Sequence, residues 1–224
     1  MKVYYAKVSS SFQEDTFFGQ TELIEPRRLS AIRNMKNETA KMRSLAAGLL
    51  LHKSLCDYLK LSMKETPTFL TDCGKWGKPY LTEYPNVHFN LSHSGEYVCC
   101  AVAGCEVGVD IQRHQGNGEE KIAERFFTRA DNQMLENCGE EEKKDVFFRI
   151  WSIRESYIKF TGRGIGQGLD SFSIDWENGV IRDKGLTKAR FEEYREIEGY
   201  GMCVCTCLEK IKVQWEPVNI YSAN

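Results

Sequence analysis

Residues 87–112, VHFNLSHSGEYVCCAVAGCEVGVDIQ, decide the architecture. Val87, Phe89 and Leu91 alternate with polar residues, the period of a strand with one apolar face. Ser94-Gly95-Glu96 supplies a turn, and the run YVCCAVA returns as a second strand. A short connection through Gly104 leads to EVGVDIQ, a third strand, whose Asp110 closes an otherwise apolar run. A carboxylate there is costly to bury without a cation or hydrogen-bond donors.

Outward from this block, VYYAKV (3–8) reads as a strand, and Glu38 to Leu59 as a long amphipathic helix carrying Met42, Leu45, Leu49, Cys56 and Leu59 at helical spacing. TDCGKWGKPYL (71–81), with two glycines and a proline, reads as a loop. Helical spacing returns from Glu119 to Phe127 and from Asp145 to Phe160, with Val146, Phe147, Ile150, Trp151 and Ile158 as core residues. The chain then reads as β again: SFSIDW (171–176), a Glu177-Asn178-Gly179 turn, GMCVCTCLE (201–209) and KVQWEPV (212–218). This order predicts an α+β fold of two similar lobes, residues 1–104 and 105–224, although no sequence repeat is visible.

Composition narrows the class. With 42% apolar and 12% aromatic residues among 224, the chain can bury a sizeable core, which excludes disordered and fibrous classes. No run matches an export signal or a membrane span. The nine cysteines are therefore expected as reduced thiols of a cytoplasmic protein rather than a disulfide framework. Cys203, Cys205 and Cys207 alternate, so they share a strand face as small apolar residues; zinc would need a partner pair the sequence lacks. Net charge is −2, but residues 26–64 hold nine Lys or Arg against Glu38 and Asp57. That excess suits an anionic ligand or an acidic partner, or is simply a solvated helix face. The glycines of TGRGIGQG (161–168) follow a helix instead of opening one, so they stop it and do not cradle a phosphate.

Glu155 and Lys159 lie four apart on one helix face. Alone they read as a surface ion pair; brought to Asp110 they would make a hard-oxygen site with a point charge for phosphate.

Three ordered segments, FNLSHSGEYV (89–98), GVDIQ (108–112) and IWSIRESYIKFTGRGIGQGLDSFSI (150–174), resemble the motifs of the Sfp-type 4'-phosphopantetheinyl transferases. EPRRLSAIR, AKMRSLAAGLLL, KWGKPYL and KIAERFFTRAD fit the same family, so the resemblance runs over nearly the whole chain. It implies two pseudo-symmetric lobes, each a small mainly antiparallel sheet packed against a long helix, with coenzyme A in the cleft between them. It implies magnesium held by Asp110 and Glu155, Lys159 engaging phosphate, and Ser92 and His93 at the nucleotide end, His93 near the 3'-phosphate. Arg28, Arg43 and Ser44 fall where further nucleotide contacts belong, and Lys78 and Pro79 beside the adenine. The reaction implied is transfer of phosphopantetheine from coenzyme A to a serine of an apo carrier protein, releasing adenosine 3',5'-bisphosphate, with Glu155 as base. The partner is an acidic carrier docking near Arg125 and Arg129; neither nucleic acid nor a membrane is expected, and the chain is expected as a monomer. Two positions depart from the pattern. Gln112 stands where many relatives have glutamate, and an amide oxygen is the weaker magnesium ligand. Arg154 replaces a common lysine, keeping charge but not shape. A coenzyme A-binding sensor without transferase activity is the competing reading, and a different metal-dependent phosphoryl-transfer or hydrolytic enzyme is another.

Overall fold

The computed structural model describes residues 1–8, 20–183 and 189–221. Residues 9–19, part of the amino-terminal stretch read above as lacking an export signal, lie outside them. Alternation near the start makes β1 (Lys2–Lys7), with Tyr4 and Ala6 on one face and Val3 and Tyr5 on the other. α1 (Pro26–Arg33) starts on a proline, and the Glu25 side chain before it accepts from the Arg28 N–H at 2.8 Å. α2 (Glu38–Leu59) is capped by Asn37, which accepts from Ala40 N–H at 2.9 Å, and stops at Lys60 in the left-handed region. Its Gly48 lets the chain around α1 approach: a Cβ there would stand 2.9 Å from Ile24.

The segment expected as a loop is a small hairpin, β2 (Thr71–Cys73) and β3 (Pro79–Leu81), whose turn uses Gly77 at a φ of +86°. The decisive block forms β4 (His88–Ser94), β5 (Tyr97–Ala103) and β6 (Val107–Arg113) as read. Then come α3 (Glu119–Phe126), α4 (Arg129–Asn137) and α5 (Lys143–Thr161). Five strands complete the chain: β7 (Phe172–Asp175), β8 (Val180–Asp183), β9 (Ala189–Tyr194), β10 (Tyr200–Thr206) and β11 (Gln214–Pro217).

The first sheet has the order β11-β1-β5-β4 and the second β6-β10-β9-β8-β7. Both are antiparallel except where β11 runs parallel to β1. One face of the first sheet (Tyr4, Ala6, Val98, Cys100, Val102) packs on Leu50, Leu51 and Leu55 of α2. The opposite face (Val3, Cys99, Ala101) meets Val107, Val109, Ile111, Met202 and Val204 of the second sheet. The far face of the second sheet, with Cys203 and Cys205, lies on Ile153, Tyr157 and Ile158 of α5. Four layers result, helix, sheet, sheet and helix, and each sheet keeps one long helix outside, the α+β arrangement expected. The expected division at residue 104 does not contain β11: residues 214–217 join the first sheet, because β1 offers them an open edge. Trp151 is half-buried against Phe127 and Phe147, as packing.

The edge strands β4 and β6 meet along a seam built from side chains. Asn90 Oδ1 accepts from Val109 N–H at 2.9 Å, Ser92 Oγ from Ile111 N–H at 3.3 Å and Ser94 Oγ from Arg113 N–H at 3.1 Å. Three polar residues two apart on β4 thus satisfy three successive outward amides of β6, which burial would otherwise leave unpaired.

Candidate active site on the seam

Gly108, Asp110 and Gln112 point from one face of β6 toward α5. A Cβ at Gly108 would stand 2.1 Å from the Ser156 carbonyl oxygen and 2.3 Å from the Phe160 nitrogen. Glycine therefore allows the α5 backbone to lie on the strand, and that contact carries Glu155 and Lys159 over Asp110. The Lys159 ammonium donates to Asp110 Oδ1 at 2.6 Å and to Ser92 Oγ at 2.8 Å, and Ser92 Oγ donates to the same Oδ1 at 2.7 Å. Asp110 is 4% exposed, and its other oxygen, Oδ2, is buried with no hydrogen-bond partner.

Burial first, and the Asp110 carboxylate second, push the Glu155 carboxyl above its ordinary range, while Lys159 draws it back. Burial pulls the Lys159 ammonium down, but the Asp110 carboxylate overrides it and holds it above its usual value. Asp110 and Glu155 are thus two carboxylates beside one cation, one of them with a buried oxygen lacking any partner. A hard divalent cation fits that donor set and would satisfy Oδ2. Gln112 stands one pleat further along β6, opposite Gly201, and its amide makes no hydrogen bond among the described residues. Among those residues no group of three or more His, Cys, Asp or Glu gathers as a metal cluster, and each of the nine thiols is free.

On the other face of β4 stands His93, exposed to solvent. Partial desolvation, then Arg43, and more weakly Lys159 and Arg28, lower its imidazole pKa. Arg28 and Arg43 form no ion pair among the described residues, and Arg43 Nε is buried without a partner. Ser44, next to it on α2, is buried. A basic corner therefore adjoins the carboxylates.

Lys78 and Pro79 lie elsewhere, in the wall of a cavity of about 680 Å³ shared with Trp76, Phe89, Glu106 and Phe160. The Lys78 ammonium donates to Glu106 Oε2 (2.6 Å), the Val107 carbonyl (3.0 Å) and the Phe160 carbonyl (2.9 Å). All three of its protons are used in tying the β2–β3 hairpin to β6 and α5. Only its stem and Pro79 are left to face a ligand. Arg154, next to Glu155 in sequence, turns away from the site. Fully buried, it lies between the rings of Phe127 and Phe172 and donates to Asp131 and to the Leu169 and Phe172 carbonyls. Its exchange for lysine bears on the packing of α4, not on the reacting groups.

Sequence reasoning missed the seam roles of Asn90 and Ser94. Their signal was present: Asn90, Ser92 and Ser94 occupy alternate positions opposite Phe89 and Leu91, a polar face with no reason to be polar unless it meets backbone. It also missed Lys78 as a brace, whose acceptors come from residues distant in sequence.

A strand carboxylate and a helix carboxylate thus lie beside a lysine, with a basic corner adjoining, a charge pattern that suits a polyanionic ligand. Residues 106–205 match the model of the 4'-phosphopantetheinyl transferase superfamily, and residues 11–105 the model described as 4'-phosphopantetheinyl transferase, N-terminal. The chain is 44% identical over 168 residues to 4'-phosphopantetheinyl transferase psf-1 of Bacillus pumilus, covering 73% of this chain and 70% of that one. It is 29% identical over 209 residues to 4'-phosphopantetheinyl transferase Sfp of Bacillus subtilis (strain 168), covering 92% of each. With 4'-phosphopantetheinyl transferase gsp of Aneurinibacillus migulanus it shares 28% over 214 residues, 94% of this chain and 88% of the other. The chain belongs to the 4'-phosphopantetheinyl transferase superfamily. It is a transferase that takes phosphopantetheine from coenzyme A to carrier proteins, as the family does. No helix among the described residues is long and apolar enough to cross a membrane.

Proposed function

We propose that Asp110, Glu155 and Lys159 carry out this transfer with magnesium, and that the carrier serine is the acceptor. The supporting observation is the unequal treatment of the Asp110 oxygens: Oδ1 takes Lys159 and Ser92, while buried Oδ2 takes nothing. Magnesium bound by Asp110 and Glu155, with Gln112 as a weak third oxygen, would neutralise charge on the diphosphate. Lys159 is a positive charge for the same phosphates. The serine hydroxyl oxygen attacks the β-phosphorus, its proton passes to Glu155, and the bond to the bridging oxygen breaks, so adenosine 3',5'-bisphosphate leaves with that oxygen. Arg28, Arg43, Ser44 and His93 bind the nucleotide end, and Pro79 with the Lys78 stem lines the adenine side. Residues 1–104 and 105–224 act as two lobes about the seam, β11 excepted.

The carrier is acidic and docks on α3 and α4, where Arg125, Arg129, Ile122 and Phe126 are exposed. The enzyme works as a cytoplasmic monomer; nine free thiols suit a reducing compartment. Incubation with coenzyme A, magnesium and an apo carrier tests the reading by intact mass. One phosphopantetheine is gained per carrier, and Asp110→Asn slows the gain on the order of a hundredfold. A folded Asp110→Asn enzyme with near-normal turnover refutes the site. Coenzyme A breakdown without carrier gain favours a hydrolase, and binding without gain a sensor.

A further inference from the structure

Of the nine thiols, five are buried, and apolar surroundings keep such thiols protonated and inert. Cys73 is exposed at the end of β2, and Cys138 is half-buried and donates to the Leu135 carbonyl. Cys105 and Cys207 are half-buried and meet each other. Strands β6 and β10 end their pairing at Val107 and Thr206. Just past that rung, Cys105 Sγ lies 3.3 Å from Thr206 Oγ1, and Cys207 follows Thr206 in the chain. The one Thr206 hydroxyl proton goes to the Glu106 carbonyl at 3.1 Å, so in the first contact the Cys105 S–H donates. The Cys207 S–H donates in turn to the Cys105 sulfur. Burial first, and that bond to Cys105 second, hold the Cys207 thiol above its ordinary value, so Cys207 keeps its proton when Cys105 loses one. Cys105 is then the attacking sulfur and Cys207 the resolving one.

The pair adjoins the cavity of about 680 Å³, which Cys207 and Glu106 both line. Glu106 accepts from Lys78 at 2.6 Å through one carboxylate oxygen, and its other oxygen lies 3.1 Å from His88 Nδ1. We infer that Cys105 and Cys207 are a redox modification site that closes to a disulfide, with a small-molecule disulfide as oxidant, and that closure shifts Glu106 from Lys78 and weakens coenzyme A binding. The Cys105 thiolate attacks one sulfur of the small disulfide, whose S–S bond breaks, and one small thiolate leaves. Cys207 gives up its proton and attacks the Cys105 sulfur, and the second small thiolate leaves. Two protein thiols are oxidised, one disulfide is reduced to two thiols, and the two protons end on those thiols. Bonding two sulfurs that now share a hydrogen draws Cys105, the chain neighbour of Glu106, toward Cys207. The effect on coenzyme A rests on the adenine-side reading of Lys78 and Pro79 proposed above; the disulfide itself does not.

The whole enzyme, equilibrated with glutathione and glutathione disulfide over a range of ratios, is alkylated and mapped by mass spectrometry. Cys105 and Cys207 should escape alkylation together, as one internal disulfide without added glutathione, and a dithiol reductant should restore both. Alkylation of both at every ratio, or glutathione on Cys207 with Cys105 left free, would overturn the site. Coenzyme A affinity is measured by calorimetry in Cys73→Ser enzyme, so that the exposed thiol adds nothing. Its oxidised form should bind on the order of tenfold more weakly than its reduced form. Cys105→Ser in the same background, which cannot form the bond, should keep the reduced affinity at every ratio; an equal loss there would overturn the coupling. Should Cys105→Ser fail to fold, the map of the wild-type enzyme still decides the site. A disulfide with unchanged coenzyme A affinity would overturn the effect on the cavity. Lys78→Ala in the reduced enzyme then separates the causes, since unchanged affinity there too refutes the adenine-side reading and leaves the disulfide standing.

Discussion

At the scale of single residues, charge is sorted around β4 by the alternation of a strand. Ser92 faces the carboxylate side and His93 the basic side, although the two are neighbours in sequence. His93 is solvent-exposed, and partial desolvation first, then Arg43, lower its imidazole pKa, so in the proposed role it would meet an anion as a hydrogen-bond donor among cations. His93→Ala should weaken coenzyme A on the order of tenfold and 3'-dephospho-coenzyme A far less, because the missing phosphate is the group it is proposed to meet. Calorimetric titration with both ligands checks this; equal losses would remove His93 from that role. The proximity of Glu155 and Lys159 was legible from a local helical spacing, and their meeting with Asp110 only from the order of the motifs. Arg154 was legible only as a departure. What it binds, Asp131 and two carbonyls past residue 168, comes together only when α4 and the segment before β7 fold against α5. No sequence period encodes that meeting.

At the scale of elements, the contact of β6 with α5 is a backbone contact, and a side chain cannot move aside to relieve it. Gly108→Ala forces a methyl to within 2.1 Å of the Ser156 carbonyl and 2.3 Å of the Phe160 amide nitrogen. It should destabilise the fold by about 3 kcal/mol, the upper range for overpacking, and displace Glu155 and Lys159 from Asp110. Urea unfolding with activity measured on the folded fraction checks both; an unchanged midpoint with unchanged turnover would mean the helix does not lie this close. Strands β4, β5 and β6 and the two long helices were readable because each exceeds one full period with a clear apolar face. The β2–β3 hairpin was not: three residues per strand fall below any visible alternation, and glycine and proline dominated the reading. β8 and β9 were missed because VIRD and ARFEEY carry charge on their open positions and too few apolar residues to show a period. α4 was missed because its nine residues bury only Asp131, a capping residue, rather than an apolar stripe.

At the scale of the whole molecule, burial of histidines sets a pH dependence of stability. His52 and His114 are held below the ordinary imidazole value, chiefly by burial, with Lys53 adding to it at His52 and Asp145 opposing it at His114. Lowered folded values mean the unfolded chain binds more protons as pH falls through the unfolded value near 6.5, so stability is full above that value and declines below it. The urea midpoint should drop between pH 7.5 and pH 5.5, and less so in His52→Leu, which keeps the contact with Phe69 without a titrating ring. An identical drop in that variant would assign the effect elsewhere. The two-lobe plan was legible from element order, but the partner of β11 was not, since a strand's period names its apolar face and never its neighbour. That partner has a consequence for synthesis. β1 leaves the ribosome well before β11, so β1 has one bare edge until residue 217 is available. Until then the nascent chain offers that edge to any passing strand, its own or another chain's. The later-made strand serves as the seal.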